Sequence, residues 1–173
     1  MKTREFARLI DVGVLEDEIR VAAEQAVAAV RGLVEKADPL VLLEAVKFDK
    51  MGRDPMEPTR SLNFIEQVNQ TFTALVSVRA VEYLFEHHPE AAPFRVNLGT
   101  APGSDVESLD GSVAGEVFAA THPGSNGKLK KDIAKVAAVS ADHKYVFFHC
   151  PGDHVTDVLN GVRVVPLALE GGS

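Results

Sequence analysis

Residues 103–136 read GSDVESLDGSVAGEVFAATHPGSNGKLKKDIAKV. Two runs suited to strands, 105–109 and 112–121, flank Asp110-Gly111, a strong hairpin turn signal. The loop HPGSNG follows, then a lysine-rich helix over 127–138. A turn at 110–111 pairs residues whose numbers sum to about 221, which sets Asp105 opposite Glu116. Two carboxylates that close repel unless a proton or a cation sits between them. Magnesium, which binds a few carboxylates and keeps several waters, suits the spacing. Glu107 lies on the same strand face as Asp105 and is a further candidate. The plain alternative is a hairpin with carboxylates on its solvent side. Against that, VAGEVFAA sets Glu116 among small and apolar residues, where an unpaired charge is costly.

The elements around this hairpin alternate in period. Residues 15–36 and 39–48 read as helices, the second opened by Asp38 as N-cap and Pro39 at its first position. DKMGRDPMEP (49–58) reads as a loop or linker. It separates an N-terminal helical extension, 1–58, from an α/β core, 59–173. Ile65, Val68, Phe72, Leu75, Val76 and Leu84 keep helical spacing over 60–88. Strands follow at 94–100, 144–150 and 161–169. A helix between strands predicts a crossover and a mixed central sheet covered on both faces.

GSDVESLDG, VAGEVFAA and GKLKKDI, after a long helix and a strand, resemble the core of the PD-(D/E)XK nuclease superfamily. The likeness covers about residues 60–150. It implies a restriction-endonuclease-like fold, a mixed central sheet flanked by helices, here with an N-terminal helical extension. It implies Mg2+ (or Mn2+) held by Asp105 and Glu116, with the Val117 carbonyl as a further ligand, and hydrolysis of phosphodiester bonds in DNA. The family lysine falls two residues after the glutamate, where this chain has Phe118, and phenylalanine can neither orient water nor meet phosphate charge. Some members supply that lysine from the following helix.

Four lysines are available there: Lys128, Lys130, Lys131 and Lys135. Leu129, Ile133, Val136 and Ala137 mark the buried face. At roughly 100° per residue, Lys128, Lys131 and Lys135 form a stripe nearly opposite it, while Lys130 and Asp132 flank it. The stripe reads as a solvated face or a phosphate-contacting ridge. Lys130 is the preferred replacement, by snorkelling along the sheet, and Lys128 comes next. The helix at 60–88 carries Glu66, Asn69, Gln70, Thr73 and Ser77 in one polar row. By resemblance Glu66 or Gln70 would lend a group to the site; a helix–helix or dimer contact is the alternative.

Composition bounds these readings. Net charge is −7, which argues against a protein that coats nucleic acid over its whole surface and leaves room for a local basic patch on DNA. The single cysteine excludes a disulfide framework and a multi-cysteine zinc site. Six residues after Cys150 stands Thr156 rather than arginine, so HCPGDHVT is not a cysteine-phosphatase loop. Cys150 reads as a core thiol, and Asp153, His149 and His154 as turn residues. His87 and His88 suit a helix C-terminus. No run is long enough to span a membrane or to act as a secretory signal, so the expected place is the cytoplasm. The expected assembly is a homodimer. A second reading keeps the fold without catalysis: having lost the lysine at 118, it serves as a binding or assembly module.

Overall fold

A computed structural model of the chain describes residues 3–35, 37–97, 103–152 and 154–169. Its hairpin closes as the sequence requires. The Asp110 carboxylate accepts from the Ser108 hydroxyl at 2.6 Å and from Ser112 N at 2.9 Å. Those donors, Ser108 foremost, hold its pKa at about 2. Gly111 supplies the positive φ, 78°, that closes the turn. The strands it joins are β5 (Val106–Ser108) and β6 (Val113–Ala119), paired antiparallel with Val106 opposite Gly115 and Glu107 opposite Ala114. Each pair sums to 221, the register expected from the turn.

The preceding elements are β1 (Thr3–Phe6), α1 (Leu9–Val34), α2 (Pro39–Phe48), β2 (Gly52–Asp54), β3 (Glu57–Leu62), α3 (Phe64–His87) and β4 (Phe94–Asn97). After β6 come α4 (Lys128–Ala137), β7 (His143–His149), β8 (Asp157–Leu159) and β9 (Val162–Pro166). Among the described residues the central sheet runs β1-β4-β5-β6-β7-β9-β8. It is antiparallel from β1 to β6, parallel across β6, β7 and β9, and antiparallel again at β8. The molecule is thus mixed α/β, with helices on both faces of a mixed sheet. The expected crossover is α4, which returns the chain from β6 to parallel β7.

Strand parity sorts the core. Val113 and Val117 of β6 join Val106, Phe94 and Phe147 beneath α1 and α3. Ala114 and Phe118 face the other way and pack with Val146, Phe148, Ile133 and Val136 beneath α4. Gly115 lies where the sheet is tightest. A Cβ there would meet Val106 Cγ1 at 3.0 Å and both Phe147 Cε2 and Tyr145 Cβ at 3.3 Å. Those neighbours are buried and cannot swing away, so Gly115→Ala is expected to cost about 1–3 kcal/mol in urea denaturation. An unchanged midpoint would show that the sheet yields there.

Several N-terminal expectations change. The segment 49–58, read as a loop or linker, is largely the β2–β3 hairpin. The buried Gln67 of α3 accepts from Arg53 N at 2.8 Å, and the Asp54 carboxylate accepts from Met56 N at 3.0 Å and from Arg60 at 3.1 Å. Its prolines are tolerated because a two-stranded hairpin is all edge. The N-terminal segment is more than a helical extension. β1 pairs with β4 at the rim of the central sheet, and Glu16 of α1 meets Arg79 of α3 at 2.7 Å. The strand expected at 94–100 is seen over Phe94–Asn97; 98–100 lie outside the described residues. Among the described residues no helix is long and apolar enough to cross a membrane.

Candidate active site

The β5–β6 register, carried one step past β5, sets Asp105 across from Glu116. The Asp105 Oδ2 accepts a hydrogen bond from Val117 N at 3.0 Å, which pins that carboxylate against β6. Glu116 shares its parity with Ala114 and Phe118, so it faces α4. It is 2% exposed. Its Oε2 accepts from Lys135 Nζ at 2.7 Å. Its Oε1 is buried and, among the described residues, has no hydrogen-bond partner.

One turn toward the start of α4 the arrangement repeats. Asp132 is 3% exposed, its Oδ1 accepts from Lys128 Nζ at 2.7 Å, and its Oδ2 is likewise buried and unpartnered among the described residues. Lys128, Asp132 and Lys135 are spaced i, i+4 and i+7, so they form one stripe along the flank of α4 that faces the hairpin.

The electrostatics share one cause: Asp105, Glu116 and Asp132 bring three carboxylates to two ammonium groups. Burial pushes the Glu116 carboxyl above the usual range. Lys135 pulls it back, but Asp105 and Asp132 add to the rise. Asp132 is also raised, first by burial and then by Asp105, against the pull of Lys128. For Lys135, burial works to release the proton, yet Glu116, Asp105 and Asp132 together outweigh it and raise its pKa. Acid and base therefore move in the same direction because the cluster lacks positive charge. It would accept a further proton or a cation.

This cluster adjoins a cleft of about 600 Å3. Arg60, Asn69, Gln70, Thr73, Asp105 and Lys128, with Asn97, Ser125 and Asn126, supply its polar lining, and Val117 and Phe118 part of its apolar wall. Phe118 stacks on Phe148, with centroids 5.6 Å apart and planes 15° from parallel. The expected lysine position is thus an aromatic pair in the core beneath α4. A larger cleft, about 790 Å3, lies between α1 and α3. Its lining is mostly apolar, and of its two arginines Arg79 is already bound to Glu16, Glu82 and the Leu169 carbonyl while Arg20 pairs with Glu16 at 3.5 Å. The candidate residues Gln70, Asp105, Val117 and Lys128 line the smaller one.

The residues singled out in the sequence divide as follows. Asp105, Val117, Gln70 and Lys128 line the cleft, and Glu116 lies beside it. Glu66 is occupied elsewhere: with Asn63 it forms a capping box at the start of α3, and it pairs with Lys50 at 2.8 Å. Lys130 is exposed on the far flank of α4. The lysine that reaches Glu116 is Lys135, from the stripe that also read as a solvated face. Asp132 emerges as a buried member of the cluster. Glu107 pairs with Arg95 at 3.3 Å.

The other candidates are explained locally. Cys150 is buried, and burial raises its thiol pKa. His149 meets the Leu167 carbonyl and His154 that of Pro151, while Asp153 lies outside the described residues. His87 stacks on Tyr83, and His88 hydrogen-bonds the Tyr145 hydroxyl at 2.6 Å. Among the described residues no group of three or more His, Cys, Asp or Glu side chains is gathered as a metal cage. No protein-family model, curated protein or solved structure matches the chain.

Proposed function

We propose that this protein is a divalent-metal-dependent nuclease of PD-(D/E)XK type whose active-site lysine has moved to the helix after the glutamate strand. The observation that carries the reading is the 2.7 Å contact of Lys135 with Glu116, beside Asp105 and next to a polar cleft. The element order α3-β4-β5-β6-α4-β7 supports it too, since it matches the order the resemblance implies. The buried oxygens of Glu116 and Asp132 are hard, anionic donors, which suits Mg2+ or Mn2+. Asp105 and Glu116 would hold the ion, with the Val117 carbonyl as the further ligand the family uses. The bound ion would supply a more acidic water and offset charge on the scissile phosphate.

The chain's own groups do the rest. Lys135, half-exposed and held by Glu116, can present its ammonium to the attacking water or to a phosphate oxygen. Lys128 and Arg60 border the cleft and can take phosphate charge, each giving up part of its ion pair with Asp132 or Asp54. Asn69, Gln70 and Thr73 offer neutral donors and acceptors to sugar or base.

A test is cleavage of plasmid and linear DNA in Mg2+ or Mn2+. Glu116→Gln and Asp105→Asn are expected to abolish turnover. Lys135→Met should lower it about 10²–10³-fold, and Lys130→Met should leave it unchanged. Equal activity of wild type and Glu116→Gln removes the nuclease reading. One observation favours a second reading, a non-catalytic binding or assembly module: Glu116 is closed over and already paired with Lys135, as a structural ion pair would be. Calorimetry with Mn2+ separates the two, because the module predicts no Glu116-dependent heat.

A further inference from the structure

Helix α2 is the most apolar of the helices and among the least buried. Only Ala45 is buried on it, while Leu40, Val41, Leu43 and Phe48 are 76%, 56%, 63% and 63% exposed. At 100° per residue, Leu43, Lys47, Leu40, Glu44, Phe48 and Val41 follow one another around a single outward face. The helices it packs against add Val27 and Val34 from α1 and Ile65, Val68 and Phe72 from α3, all exposed. All nine of these apolar side chains are exposed, more than the singly scattered apolar residues usual on a monomer surface.

We propose that this face binds a second copy of the chain, with α2 crossing the partner's α2 antiparallel about a two-fold axis. The charge pattern favours a self-match. In such a pairing, residue numbers across the axis have a constant sum. The register that sets Glu44 against the partner's Lys47 also sets Lys47 against the partner's Glu44. It brings Leu43 against the partner's Phe48 as well. Both charges sit in the middle of the exposed face, and both are answered by the same helix turned around. A lipid surface fits poorly, because Asp38, Glu44 and Asp49 outnumber Lys47 and Lys50 on and beside α2.

Sedimentation equilibrium on the full chain tests this, with circular dichroism to confirm that each variant folds. Wild type is expected to be a dimer well below about 100 μM. Glu44→Lys and Lys47→Glu should each weaken association about 10-fold. Mixing those two variants should restore it, since each then meets the opposite charge. Leu43→Asp/Phe48→Asp alters only exposed side chains and should weaken association about 100-fold or more. A wild type that stays monomeric at about 100 μM overturns the proposal, including one that associates only with a different protein. Single swaps without effect, or a mixture that stays dissociated, overturn the antiparallel register.

Discussion

Replacing Lys135 by methionine is expected to destabilise the fold by about 2 kcal/mol at pH 8 and by clearly less at pH 5. Removing one partner of a buried ion pair usually costs about 3–5 kcal/mol, because the remaining charge is stranded. Lys135 is 51% exposed and partly screened, so the lower figure applies. The pH dependence follows from Glu116. Its folded pKa is already raised, by burial first and by Asp105 and Asp132 further. A raised carboxyl contributes stability below its unfolded value, which is lost as pH rises through the folded value. Without Lys135 the folded value climbs again and that loss deepens toward neutral pH. Below the ordinary carboxylate range Glu116 is protonated in both states, and the stranded charge no longer exists. Lys135 obeys the same sign at higher pH: its raised pKa contributes stability below the ordinary lysine value, lost only in alkali. Urea denaturation at the two pH values measures the difference. Glu116→Gln/Lys135→Met should recover most of the loss, since it leaves no charge to strand. An equal penalty at pH 5 and pH 8 would place the cost in packing rather than in the Glu116 charge.

The local chemistry of the hairpin made the centre of this fold legible. Asp110-Gly111 fixed a register, and the register brought Asp105 to Glu116 without any tertiary information. The helix-strand alternation likewise announced α4 as a crossover. The short strands were silent for a physical reason. β1, β2, β3 and β8 are three to six residues long, too brief for a period, and their pairing is decided by what lies beside them. For β8 an unused clue was present in Asn160-Gly161: both take positive φ and turn β8 into β9, as that dipeptide commonly does. Glu66, read as a candidate site residue, carried a clue to its real role: Asn63 three residues earlier completes a capping-box pattern that accounts for its carboxylate. The helix α4 divided most sharply. Its apolar face was read correctly, but the side of that face to which the sheet's acids lie depends on the crossover geometry. Asp132 held the available clue. An aspartate spaced i+4 from Lys128 and three residues before Lys135 marks the flank where carboxylate and ammonium alternate, and that flank faces the hairpin.

Phe118→Lys, which puts a lysine two residues after Glu116, is expected to destabilise the fold by about 3–4 kcal/mol. Phe118 is buried, stacked on Phe148 and packed among Ile133 and Val136, so its removal opens a cavity beneath α4. The incoming ammonium also has little to gain there while Lys135 holds Glu116. The second consideration makes the losses non-additive. Phe118 and Glu116 lie on one face of β6, two residues apart, and Phe118 borders the cleft. Once Lys135 is gone, a lysine at 118 can extend along the cleft wall and neutralise Glu116. Phe118→Lys/Lys135→Met should therefore lose less than the sum of its single variants, by about 1 kcal/mol or more, as coupled neighbours do. Full additivity would mean that position 118 and Lys135 do not share Glu116, and the idea of a displaced lysine would fail on energetic grounds before any substrate is added. A positive coupling would explain why the strand can carry an aromatic there: with the charge supplied from α4, position 118 is free to serve the core.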